Sequence, residues 1–159
     1  MAFTVDLTED VGVALPWSGR DKHFVIKKVV DFSEAANHLT NAQIMALMPI
    51  PAGVLVREVI AKITTSADSD TTTFDVGSFT TAEVAIDEHG FLCAQNPYQA
   101  TVPAYVRDTA VDTHAVYALT DGTAGYVGAS DWILGFTNTD TQELDNGVIE
   151  FMVECIDLR

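Results

Sequence analysis

The chain has 159 residues, 48% hydrophobic and 19% charged, with 23 acidic residues against 8 basic ones and a formal net charge of -15. That length supports one domain able to bury about 70% of its unfolded surface, and the apolar share excludes disorder of the chain as a whole. A surface this acidic repels nucleic-acid phosphates and anionic lipid, so neither nucleic acid nor membrane is an expected partner without a strong local basic patch.

Residues 1–22, MAFTVDLTEDVGVALPWSGRDK, hold neither a period of 2 nor one of 3.6, and they include Gly12, Pro16, Trp17 and Gly19. They read as an extended arm in front of a single β-sandwich domain over 23–159. Phe3, Val5, Leu7, Val11, Val13, Leu15 and Trp17 are too many apolar points for a solvated tail. The arm is therefore expected to lie on its own sandwich or on a neighbouring molecule. No basic n-region or apolar h-region opens the chain, so no signal peptide is expected. No apolar run approaches a membrane span, and the chain is expected to stay soluble.

His23 to Phe32 alternates Phe24, Ile26, Lys28, Val30 and Phe32 against Val25, Lys27, Val29 and Asp31, which predicts a strand. Thr40-Asn41-Ala42-Gln43 has the form of a capping box, with Leu39 and Ile44 at staple positions and Pro49 as a stop. This predicts one short helix over 41–47. Pro51 and Gly53 then make a corner into Val54 to Ile63, whose two faces are both apolar at the start. A five-residue polar turn, Ser66 to Asp70, leads to Thr71 to Val76, which is expected to return as the second arm of a hairpin.

The sequence IPAGVLVREVIAKITTSADSDTTTFDVG followed by DEHGFL, with VVDFSEA and the short helical segment in front, resembles small virion proteins of tailed bacteriophages. The likeness covers about residues 28–95 and lies in strand and turn chemistry. It implies a β-sandwich or jelly-roll domain that decorates or cements a capsid from outside, with the major capsid protein as partner, a homotrimer as assembled form, and synthesis in the cytoplasm of a bacterial host.

Further along, Thr80 to Ile86 reads as a strand, Asp87-Glu88-His89-Gly90 as a turn and Phe91 to Ala94 as a continuation. Residues 95–110 read as a long loop or irregular edge carrying the interface-type residues Tyr98, Tyr105 and Arg107. Thr113 to Leu119 and Trp132 to Thr137 alternate as strands. Asn146-Gly147 marks a turn before Val148 to Leu158, where Ile149, Phe151, Val153 and Cys155 share one face. The total is an all-β chain of about eight strands with one short helix, suited to a β-sandwich or jelly roll.

Half of the basic residues, Arg20, Lys22, Lys27 and Lys28, fall within nine positions. They are either edge lysines that discourage strand pairing or a docking strip for an acidic shell. With Trp17, Tyr98, Tyr105 and Arg107 they form the expected partner-binding set. Cys93 and Cys155 lack metal spacing and are expected to be buried and reduced, with a long-range disulfide as the alternative.

No GxSxG, HExxH, Walker A or Rossmann motif occurs, so no catalytic residue and no cofactor is expected. His23, His38, His89 and His114 are scattered, and no metal site is expected from them. Asp68, Asp70 and Asp75, and Asp140, Glu143, Asp145 and Asn146, read as solvated turn residues without calcium-loop spacing. Two other functions stay open: a receptor- or glycan-binding head of a fibre or spike, with Tyr98, Tyr105, Trp132 and the polar loop Asn138 to Gly147 at the contact, and an enzyme on a jelly-roll scaffold.

Overall fold

Period-2 alternation over most of the chain becomes strand, and the computed structural model describes residues 5–6, 12–13, 23–107 and 125–159. The strands are β1 (Val5–Asp6), β2 (Gly12–Val13), β3 (His23–Asp31), β4 (Ile44–Ile50), β5 (Val54–Thr65), β6 (Phe74–Thr80), β7 (Ala85–Gln95), β8 (Ala104–Val106), β9 (Tyr126–Val127), β10 (Trp132–Asn138) and β11 (Val148–Asp157). They form two sheets, ordered β1-β4-β10-β6-β7 and β2-β3-β11-β5-β8, with β9 paired to the start of β5.

Without the two-residue strands β1, β2 and β9, four strands remain in each sheet, paired antiparallel throughout. Every connection between these eight passes from one sheet to the other, except the β6–β7 hairpin. This is a jelly roll. The short strands of the N-terminal segment touch both edges: β1 runs parallel to β4, and β2 antiparallel to β3.

β11 lies inside its sheet, between β3 and β5, as its unbroken alternation foretells. Ile149, Phe151, Val153 and Cys155 point inward and are buried. The facing sheet supplies Met45, Phe74, Val76, Leu134 and Phe136. Phe136 is the hub, with ring centroids 4.9 Å from Phe74, 5.4 Å from Phe32 and 5.7 Å from Phe151. Each such fully buried ring contributes roughly 2–3 kcal/mol through area alone.

Three expectations are corrected. The predicted helix over 41–47 is a turn leading into β4. Gln43 Oε1 accepts from Thr40 N at 2.7 Å and Gln43 N donates to Thr40 O at 3.1 Å, so the capping-box residues close a turn. Ala42, at φ 60°, leaves the right-handed helical region. β4 is buried on both faces, and tertiary pairing with β10 overrides the helix propensity of its Ala, Leu and Met. The helical turn that does occur among the described residues is a 3-10 turn at Ala35–Asn37.

The expected central hairpin is a corner, because β5 and β6 belong to different sheets and 66–73 carries the chain between them. The doubly apolar start of β5 also has a local cause. Glu154 pairs with Glu58 but Cys155 with Val56, so Arg57 is an extra residue, a β-bulge. Val54 and Val56 face inward before it, and Val59, Ala61 and Ile63 after it.

The β6–β7 turn falls at 81–84 rather than at Asp87 to Gly90. Thr80 N donates to Val84 O at 2.8 Å, while 87–90 lies within β7. There the strand is bulged, and the backbone of Asp87 and Glu88 crosses so close to Gly77 that a side chain at 77 would collide with it. The strand expected at Thr113 to Leu119 lies outside the described residues. No disulfide joins Cys93 and Cys155; the latter is buried and the former half-buried.

Candidate interaction face

The outer face of the β3-β11-β5-β8 sheet gathers most of the positive charge that the described residues carry. Strand alternation sends Lys27 outward and its neighbour Lys28 inward, where it is 4% exposed beside Phe151 in the register. Two consecutive lysines on a strand cannot share one face, so Lys28 does not belong to a surface strip. Lys27 Nζ lies 3.7 Å from Glu150 Oε1 on β11. Arg57, displaced by the bulge, reaches Glu154 Oε1 at 3.4 Å. Arg107, just past β8, reaches Glu58 Oε1 at 3.5 Å. Lys62 stands opposite Tyr105 in the register, with its Nζ 5.8 Å from the ring centroid.

Apolar side chains lie between these pairs. Val25, Val29, Tyr105 and Val127 are exposed, the last beside Leu55 at the start of β5, and Ile60 and Met152 face outward together next to Lys27. The face therefore mixes compensated charge with exposed apolar area. That is the surface chemistry of a protein contact, with half-exposed ion pairs giving register more than affinity.

Of the expected partner-binding residues, Lys27, Tyr105 and Arg107 come together here. Tyr98, 40% exposed, sits on the 96–103 loop at one end of the sandwich. Trp17, Arg20 and Lys22 lie outside the described residues. Sequence reasoning missed Arg57 and Lys62. Lys62 was legible as an outward strand position, whereas the bulge that brings Arg57 to this face has no local signature.

The acidic turns do structural work. Asp75, expected as a solvated turn residue, is instead buried on β6, where its Oδ1 accepts from Ala94 N at 2.6 Å; Asp140 Oδ1 accepts from Gln142 N at 3.1 Å. Loops that are far apart in sequence meet where Asp68 N donates to Asn146 Oδ1 at 2.8 Å, beside a cleft of about 300 Å³. His38 lies 3.7 Å from Glu143, and His89 lies 3.9 Å from Asp87. Among the described residues no three His, Cys, Asp or Glu side chains converge as metal ligands.

Neither a protein family nor a curated protein sequence matches this chain. Solved structures do. A chain in the capsid of Ralstonia phage GP4 superposes with a TM-score of 0.61 over 92% of this chain and 90% of that one, at 15% identity. A chain of the cyanophage Pam1 capsid asymmetric unit does so with a TM-score of 0.53, over 91% and 92%, also at 15% identity. What is shared is the fold. Because the match spans nine-tenths of each chain, it takes in both sheets and their connections rather than one hairpin or one layer.

Proposed function

We propose that this chain is a structural virion protein of a tailed bacteriophage, one that decorates and stabilises the capsid by binding the outer surface of the major capsid protein lattice as a homotrimer. The observation that carries the reading is the likeness of the whole jelly roll to a chain in the capsid of Ralstonia phage GP4. The role is mechanical, not catalytic. A protein that binds the assembled shell but not free shell subunits stabilises the shell by mass action, by about 2.7 kcal/mol per site at a free concentration of 100 times Kd.

Adding the purified chain to shells that lack it tests this reading. Saturable co-sedimentation with assembled shells, a raised shell disruption temperature, and no binding to unassembled shell protein are expected. Failure to co-sediment at any concentration overturns it.

A further inference from the structure

We infer that the outer face of the β3-β11-β5-β8 sheet is the contact between copies of this chain, and that it seats on the acidic loop end of the next copy around a ring. This deepens the proposed function and rests on its homotrimer. Symmetry supplies the first step. A three-fold ring cannot be built from one self-complementary patch; each copy must offer two different patches that fit one another.

Charge supplies the second step. At -15 per chain, copies repel one another unless one of the meeting surfaces is not acidic. On this face Lys27, Arg57, Lys62 and Arg107 balance Asp31, Glu58, Glu150 and Glu154, so this surface carries no net negative charge. Among the described residues, the other two basic side chains do not build a second such face: Lys28 is interior and Arg159 is held by Asp157 at 2.9 Å.

The complementary patch is the end of the sandwich where three loops are tied together. Asn96 Nδ2 donates to Asp70 O at 2.7 Å, Ala67 N to Pro97 O at 3.2 Å, and Asp68 N to Asn146 Oδ1 at 2.8 Å. This end exposes Asp68, Asp70, Glu143 and Asp145, and among the described residues no lysine or arginine pairs with any of them. Tyr98 and Val102, each 40% exposed, add apolar area and a ring for a guanidinium. Across the contact, Arg107 and Lys27, with side chains 56% and 60% exposed above glutamates that are 21% exposed, present their outer faces to these carboxylates. Ile60 and Met152 on the inner strands supply the apolar centre, flanked by Val29 on β3 and Tyr105 on β8.

Sedimentation velocity and native mass spectrometry of the full chain test the contact. The expected species is about 52 kDa, three chains of 17.2 kDa, and it dissociates toward monomer as salt is raised to ~1 M, where screening shortens to about 3 Å. Lys27→Glu with Arg107→Glu is expected to leave a monomer with an unchanged circular dichroism spectrum, and so is Asp68→Lys with Asp145→Lys. All four substitutions in one chain restore the trimer. If the reversed face costs folding, Lys27→Ala with Arg107→Ala replaces it, with at least a tenfold weaker association expected. A wild-type monomer, a two-fold dimer, a trimer indifferent to the reversed face, or no restoration in the fourfold variant overturns the inference. These readouts need no capsid. Absence of the chain from particles would remove the decoration role and leave the contact standing, whereas a monomer would do the opposite.

Discussion

Asn138 Nδ2 donates a 2.8 Å hydrogen bond to Leu39 O, joining residues 99 positions apart in the chain. Asn138 is fully buried, and the same amide also donates to Gln142 O at 2.8 Å while its Oδ1 accepts from Asp140 N at 3.1 Å. One side chain thus fastens the turn before β4 to the loop after β10. Asn138→Ala leaves buried polar groups without partners and is expected to cost about 2 kcal/mol in urea unfolding. A loss within error of zero would mean that water replaces the amide.

On the outer face of the β4 sheet, the Phe79 ring lies against Gly135, close enough that any Cβ at 135 would collide with it. Phe79 is fully buried and has nowhere to swing. Gly135→Ala should therefore destabilise by about 1–3 kcal/mol through overpacking. A double-mutant cycle with Phe79→Leu should recover part of that loss, and strict additivity would show that the strain lies elsewhere.

Much of this architecture was legible before any coordinates. β3 and β11 alternate cleanly because one face of each meets the core and the other does not. β10 alternates in residue type, with Trp132, Leu134 and Phe136 against Gly135 and Thr137, although both its faces are buried. The jelly roll follows from their count and spacing. β4 was not legible. Buried on both faces, Ile44 to Ile50 has no alternation to read, and the Thr40 to Gln43 motif beside it serves a turn as well as a helix. Nor does a polar turn say which sheet the next strand joins, which is why β5 and β6 read as a hairpin. At the candidate face, Lys27, Tyr105 and Arg107 were found by residue type and loop position. Lys28 was grouped with them by proximity in sequence, although the alternation of β3 already placed it on the opposite side.

The Cys155 thiol is pushed up to about 12 by burial first and by the neighbouring Glu154 carboxylate second, against an ordinary value of 9.0. A raised folded-state pKa favours the protonated fold. Its contribution is whole below pH 9 and is lost as pH rises toward 12, at up to about 1.4 kcal/mol per pH unit. Urea unfolding of the wild type and of Cys155→Ala between neutral and alkaline pH should give a steeper alkaline decline for the wild type. Parallel curves would contradict a buried, protonated thiol.

The exposed valines of the candidate face should matter more for association than for folding. Val29→Ser, at a position 56% exposed, is expected to change unfolding free energy by less than about 0.5 kcal/mol. Association of the chain measured by sedimentation should nonetheless weaken several-fold. Equal association of the two proteins would remove Val29 from the contact.

The most direct test of a virion decoration role is the copy number of this chain in gradient-purified particles, by quantitative mass spectrometry against the major shell protein. Decoration predicts many copies in a simple ratio to the shell protein. A few copies per particle would point instead to a fibre or spike, and absence from the particle would contradict a structural place in the virion altogether.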